Sequence, residues 1–172
     1  MASLMENLID VLGKLCDEYE NLLGLSTQKT PVIIAGDLKE LSKITDEEQI
    51  VVSIINHLDR SRQEAVRDIA NVVNRDVEDL KLANIIQMLE PRPVEQQKLA
   101  VVYDRLTEVV GQVRRVNSQN RELLSSALEM VEFEINMLQA VKAAPATANY
   151  NKGAYSSGSV IGVDRSDFDA KQ

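Results

Sequence analysis

Residues 94–141 read VEQQKLAVVYDRLTEVVGQVRRVNSQNRELLSSALEMVEFEINMLQAV, 48 positions without a proline and with a single glycine, Gly111. Leu99, Val102, Leu106, Val109, Val113 and Val116 alternate three and four apart, the spacing of a coiled-coil seam. The stripe resumes as Leu124, Leu128, Val131, Ile135 and Leu138. Between the two halves the phase shifts across Asn117 and Asn120, equivalent to a four-residue insertion into strict heptads. One helix of ~70 Å follows from about 1.5 Å per residue. A chain holding such a helix must supply other long helices to cover it.

They stand upstream. Leu8, Val11, Leu12, Leu15, Tyr19, Leu22 and Leu23 recur on one helical face. Thr30-Pro31 resembles a fresh cap with proline in the first turn, so a kinked first helix over about 3–35 is expected. Gly36 reads as a stop and Asp37 as a new N-cap, with Glu40 placed to reach back in a capping box. A second amphipathic helix, 37–73, carries Leu38, Leu41, Ile44, Val51, Ile55, Leu58, Ala65, Ile69 and Val72. Asn74, Arg75 and Asp76 interrupt it. A short apolar helix over 78–89 acts as a lid or turn-back before Pro91 and Pro93, and the last helix occupies 94–142. The expected fold is all-α: an elongated antiparallel bundle or coiled coil of three long helices and one short one.

Composition agrees with that reading. Of 172 residues 44% are hydrophobic but only 3% aromatic, with no Trp, so Leu, Val and Ile must build the core. After Pro145 the helical period gives way to small polar residues. The expected division is a bundle over 1–144 and a flexible tail over 145–172. The tail nevertheless holds Tyr150, Tyr155 and Phe168, half of the six aromatic residues, which suggests recognition.

Most chemistry is absent from the pattern. Cys16 is the only cysteine, so neither an intrachain disulfide nor a thiolate zinc site can form within the chain. Carboxylate di-metal bundles need Glu-x-x-His pairs, whereas the only histidine, His57, follows Ile54 by three. Cys16 with His57 as base is a conceivable nucleophile pair, but a lone helical cysteine beside Leu12 and Leu15 reads more simply as a small hydrophobe. No phosphate-cradling glycine loop occurs, and no cofactor is expected. The net charge of −8 and the lack of basic stretches with stacking aromatics argue against nucleic acid. Arg114, Arg115 and Arg121 read as a solvated face paired with Glu108 and Glu122. The apolar runs are far too short to span a bilayer, and the acidic opening residues do not resemble a signal peptide. A cytoplasmic protein without enzymatic activity is expected.

Two further readings concern the last helix. Asn117 and Asn120 either set the register of a seam or bond the backbone of a partner. The last helix is also longer than the first, about 48 residues against 34 at most, which leaves part of the lower stripe without an intrachain partner. Exposed apolar helical surface commonly marks a partner groove.

Several segments follow in order: Leu15-Cys16-Asp17-Glu18-Tyr19-Glu20-Asn21-Leu22-Leu23, Asp37-Leu38-Lys39-Glu40-Leu41, Asp46-Glu47-Glu48, and Leu58-Asp59-Arg60-Ser61-Arg62. Val116-Asn117-Ser118-Gln119-Asn120-Arg121-Glu122-Leu123-Leu124 and the tail segment Tyr150-Asn151-Lys152-Gly153 complete the set. Together they resemble the FlgN family of flagellar type III export chaperones for hook-associated proteins. The likeness spans about residues 4–153. It implies a bundle that binds the C-terminal helical region of a hook-associated protein, prevents premature assembly and delivers it to the export gate. On that resemblance Asn117, Asn120, Leu124, Leu128, Val131, Ile135 and Leu138 bind the substrate protein. Tyr150, with Gly153 after it, docks on the export-gate membrane protein, with Tyr155 as rival. The expected state is a monomer or weak homodimer. The competing expectation is a structural coiled-coil adaptor that homodimerises through the same stripe. The Pro31–Ala35 segment and residues 160–172 have no role in either reading.

Overall fold

The computed structural model describes residues 2–77 and 80–143. Four helices form: α1 (Ala2–Ala35), α2 (Leu38–Val73), α3 (Leu82–Met88) and α4 (Pro93–Ala143), and no strand occurs among the described residues. The expected all-α architecture of three long helices and one short one is what the chain adopts. Met1–Phe133 constitute one compact unit and Glu134–Gln172 a second.

Local chemistry explains the helix ends. Gly36 sits at φ +67°, the left-handed region where a side chain is strained, and closes α1. Asp37 then caps α2, its carboxylate accepting the Glu40 N–H at 3.1 Å. The reciprocal half of the expected capping box does not form, because the Glu40 carboxylate pairs with Lys43 at 3.2 Å. Asn74 ends α2 in the left-handed conformation, and its N–H and that of Arg75 both donate to the Ala70 carbonyl. Pro93 is the first residue of α4, where a missing N–H leaves no helical bond unmade.

One boundary differs from expectation, that of α3. α1 continues through Pro31 to Ala35; the proline removes one helical donor, and the turn before it is held by the Thr27 hydroxyl, which donates to the Leu23 carbonyl at 2.7 Å. α3 is shorter than 78–89, since Lys81 is extended and offers no side-chain cap, so the helix starts at Leu82.

The two-residue turn makes α1 and α2 an antiparallel hairpin. α4 lies along α1 in the parallel sense. Its side-chain bonds to α1 join Cys16 to Val102, Asp17 and Glu20 to Arg105, Ser26 to Asn120 and Thr30 to Asn120. Sequence separations of 86, 88, 85, 94 and 90 along these pairs signify two helices advancing together. The core is aliphatic, as the composition requires: Leu8, Leu12 and Leu15 of α1, Ile55, Val66 and Ile69 of α2, and Leu99 and Val113 of α4 are buried in one cluster. Leu80, Ile85 and Leu89 join that cluster, so α3 and its flanks close the end of the bundle near Met5 and Ala70. Gln96 ties the junction, donating its amide to the Ile86 carbonyl at 3.0 Å.

Two glycines provide a check of opposite sign. Gly24 lies within α1, where an added Cβ meets nothing within 4 Å, so Gly24→Ala raises the urea-unfolding free energy by about 0.5–1 kcal/mol. Gly36→Ala lowers it by about 1 kcal/mol or more, because the left-handed backbone is penalised for any Cβ. Leu99→Ala, at a fully buried position, removes about 2–5 kcal/mol in the same measurement.

Candidate functional site

The last helix carries the candidate residues, and their exposure follows from how far α1 accompanies it. The contact between them ends in a polar layer inside an apolar bundle. Asn120 is 4% exposed and Ser26 is fully buried. Asn120 Nδ2 donates to the Ser26 carbonyl at 2.7 Å, and Asn120 Oδ1 accepts from Thr30 Oγ1 at 2.7 Å. Ser26 Oγ donates to Glu48 Oε1 at 2.8 Å, and Lys29 Nζ donates to Glu48 Oε2 at 2.7 Å. The layer thus crosses α4, α1 and α2. Among the described residues no buried side-chain polar atom lacks a partner.

This layer corrects one expectation. Asn120 is not part of the open surface, because both ends of its amide are engaged within the chain, and it sets register instead. Asn117, by contrast, is exposed.

One turn past the layer the helix changes character. Ala35 ends α1 five residues after Thr30, and Ser125 lies five residues after Asn120. Leu124 is half-buried, whereas every residue from Ser125 to Phe133 is exposed, Leu128 to 64% and Val131 to 50%. The described residues of the second unit, Glu134–Ala143, are exposed as well, Ile135 and Leu138 among them. The length difference read from the sequence therefore corresponds to apolar side chains left exposed among the described residues.

A second line was missed by periodic reading. Met130 and Phe133 are exposed three apart, on a side of α4 away from Leu128 and Val131, and in the second unit Met137 and Val141 are exposed four apart. The signal was present in the sequence, but a search for a single seam passes over apolar residues outside it. Such surface is far more apolar than a solvated helix needs. Tyr150 and Gly153 lie outside the described residues.

The other candidates are placed elsewhere. Cys16 is buried, and its thiol donates to the Val102 carbonyl at 3.6 Å on α4. Burial raises its pKa, against a smaller opposing effect of Arg105, so the thiolate that a nucleophile needs is disfavoured. His57 is exposed on α2. Arg105 Nε reaches Glu20 Oε1 at 2.8 Å and Nη2 reaches Asp17 Oδ1 at 3.0 Å, and the guanidinium hydrogen bond lowers the Glu20 pKa. These ion pairs are exposed and orient more than they stabilise. Arg114 and Arg115 are exposed, as a solvated face requires, while Glu108 accepts from Gln112 at 3.2 Å. Among the described residues no helix is long and apolar enough to cross a membrane.

The profile of the FlgN protein family matches residues 1–157. The chain belongs to the FlgN family. Membership makes it one of the flagellar export chaperones, a chaperone family rather than an enzymatic one. This FlgN-family chain is 29% identical over 131 residues to the uncharacterized protein YvyG of Bacillus subtilis strain 168, covering 76% of this chain and 78% of that protein. No solved structure matches.

For this FlgN-family chain the polar layer and the thiol are both open to measurement. Asn120→Ala removes the partner of Thr30 and one donor to Ser26, and is expected to lower the unfolding free energy by about 1–3 kcal/mol, read by urea denaturation followed by circular dichroism. Cys16 is expected to resist thiol reagents in the folded protein and to react at the rate of an unhindered thiol in denaturant; fast labelling of the native state would contradict the packing of α1 on α4.

Proposed function

We propose that this FlgN-family protein is a cytosolic export chaperone that holds the C-terminal helical region of a hook-associated flagellar protein on the exposed part of α4. It prevents premature assembly and delivers its client to the type III export gate. The observation that carries the reading is the exposure of Leu128 and Val131 on α4 among the described residues, in a chain of this family; Ile135 and Leu138, exposed in the second unit, are assigned the same role. An amphipathic client helix laid on such a stripe buries apolar surface on both molecules, which is the dominant favourable term in association. Holding a client this way needs no catalytic residue. Leu124, half-buried at the edge of the bundle, marks where the client begins, and Asn117, exposed a turn earlier, is available to bond its backbone.

The family resemblance adds a second contact. We assign Tyr150, with Gly153 after it, to docking on the export-gate membrane protein, within a tail over residues 145–172 that follows the bundle. A tail tyrosine used for docking and a helix used for clients separate the two tasks in sequence, so they can be separated by mutation.

Co-purification with a hook-associated protein tests the first assignment. Leu128→Asp with Val131→Asp, both at exposed positions, is expected to abolish co-purification and leave thermal unfolding of the free protein unchanged. Truncation after Gly111 is a blunter test, since it also removes Val113 and Asn120 from the bundle. Retained binding by the double variant would defeat the assignment. Tyr150→Ala is expected to retain the client but to lower its secretion into the medium. Light scattering of the free protein separates a chaperone from a coiled-coil adaptor, which would be an obligate dimer without affinity for flagellar subunits.

A further inference from the structure

The turn between α1 and α2 carries apolar side chains that the bundle does not use. Ile34 is 70% exposed and Leu38 is 77% exposed, on either side of Gly36 and Asp37. Their neighbour Ile33 is buried, so the segment is not uniformly turned outward. Two large aliphatic side chains left in water at a turn, where polar residues are the rule, indicate a surface with a use.

The polar layer locates that surface. Thr30 and Asn120 are hydrogen-bonded across the parallel pair α1 and α4. Residues four apart lie on the same helical face, so Ile34 stands one turn beyond Thr30 and Leu124 one turn beyond Asn120, at the same level of the bundle. Leu128 and Val131 continue upward from Leu124 along α4. The turn therefore lies at the foot of the exposed stripe.

Charge specifies what fits. From Glu122 to Phe133, the exposed end of α4 within the first unit, the charged residues are Glu122, Glu129 and Glu132, with no Lys, Arg or His. A second copy of this chain laid on the stripe would face carboxylates with carboxylates. A helix whose apolar seam is flanked by Lys or Arg would face them with opposite charge.

We propose that Ile34 and Leu38 form a shelf that receives the end of a partner helix lying along α4, and that this helix has an apolar seam flanked by basic residues. The inference rests on the proposed role of α4 as a client-binding helix and adds to it a second element and a charge preference. The client is thus positioned along the helix by a fixed stop, as well as held by its side. The segment Pro31–Ala35, unusually apolar for the approach to a turn, acquires a role from this.

The test uses the full chain and two synthetic helical peptides with the same leucine seam, one flanked by Lys and one by Glu, followed by fluorescence anisotropy. Stronger binding of the Lys-flanked peptide is expected, with the difference shrinking as salt is added. Ile34→Ser with Leu38→Ser is expected to weaken that binding about tenfold, with unchanged urea unfolding. Leu128→Ser with Val131→Ser is expected to abolish it. Loss only with the α4 pair, and none with Ile34 and Leu38, would overturn the shelf while leaving α4 as the docking helix. No effect of the α4 pair would overturn both. Equal binding of the two peptides, or no binding of the Lys-flanked one, would overturn the charge preference. A dimer in light scattering that dissociates in the Ile34→Ser, Leu38→Ser variant would assign the shelf to a second copy and overturn the proposal.

Discussion

A buried amide decides where α4 sits on the hairpin. Asn120 donates to the Ser26 backbone and accepts from the Thr30 hydroxyl, while Ser26 and Lys29 share the Glu48 carboxylate. Aliphatic side chains above and below tolerate sliding, because leucine against valine is nearly as good one turn along. Polar groups out of water do not, since an unmade hydrogen bond there costs on the order of 1–3 kcal/mol. Moving α4 by one turn, about 5.4 Å, would leave the amide, the hydroxyls and the carboxylate without these partners. The layer supplies specificity of register, a role best attested for single asparagines in coiled coils.

From that register the exposed surface follows by arithmetic. α1 has 34 residues and α4 has 51, and a parallel alignment through Thr30 and Asn120 exhausts α1 at about Ser125. From there to Phe133 α4 lacks the α1 cover that Leu99, Val109 and Val113 have. The apolar residues there are not a failure of folding but surface held open by the alignment.

Much of this was legible in the primary structure. Gly36, Asp37 and Asn74 mark helix ends through backbone conformation and capping, which are local effects, and each does in the folded chain what its type foretells. Pro93 is similar. A proline within a helix is penalised locally, yet α1 continues through Pro31 with Thr27 bonding the preceding turn and Ile33 buried beyond it. α3 fell short of its expected start because Lys81 provides no cap. Met130 and Phe133 escaped notice because a helix read for one seam conceals a second.

The order of the helices, their aliphatic core and the phase shift at Asn117 and Asn120 are written in spacing alone, since helical periodicity and capping involve residues within a turn or two of each other. Family membership was legible in the same way, from short segments in a fixed order. The tertiary structure decided which asparagine is buried, that α4 runs parallel to α1, and that Ile34 stands level with Leu124. Those outcomes depend on pairs of residues some 90 positions apart, whose meeting is settled by the whole set of packing and hydrogen-bonding demands and leaves no mark on either neighbourhood by itself.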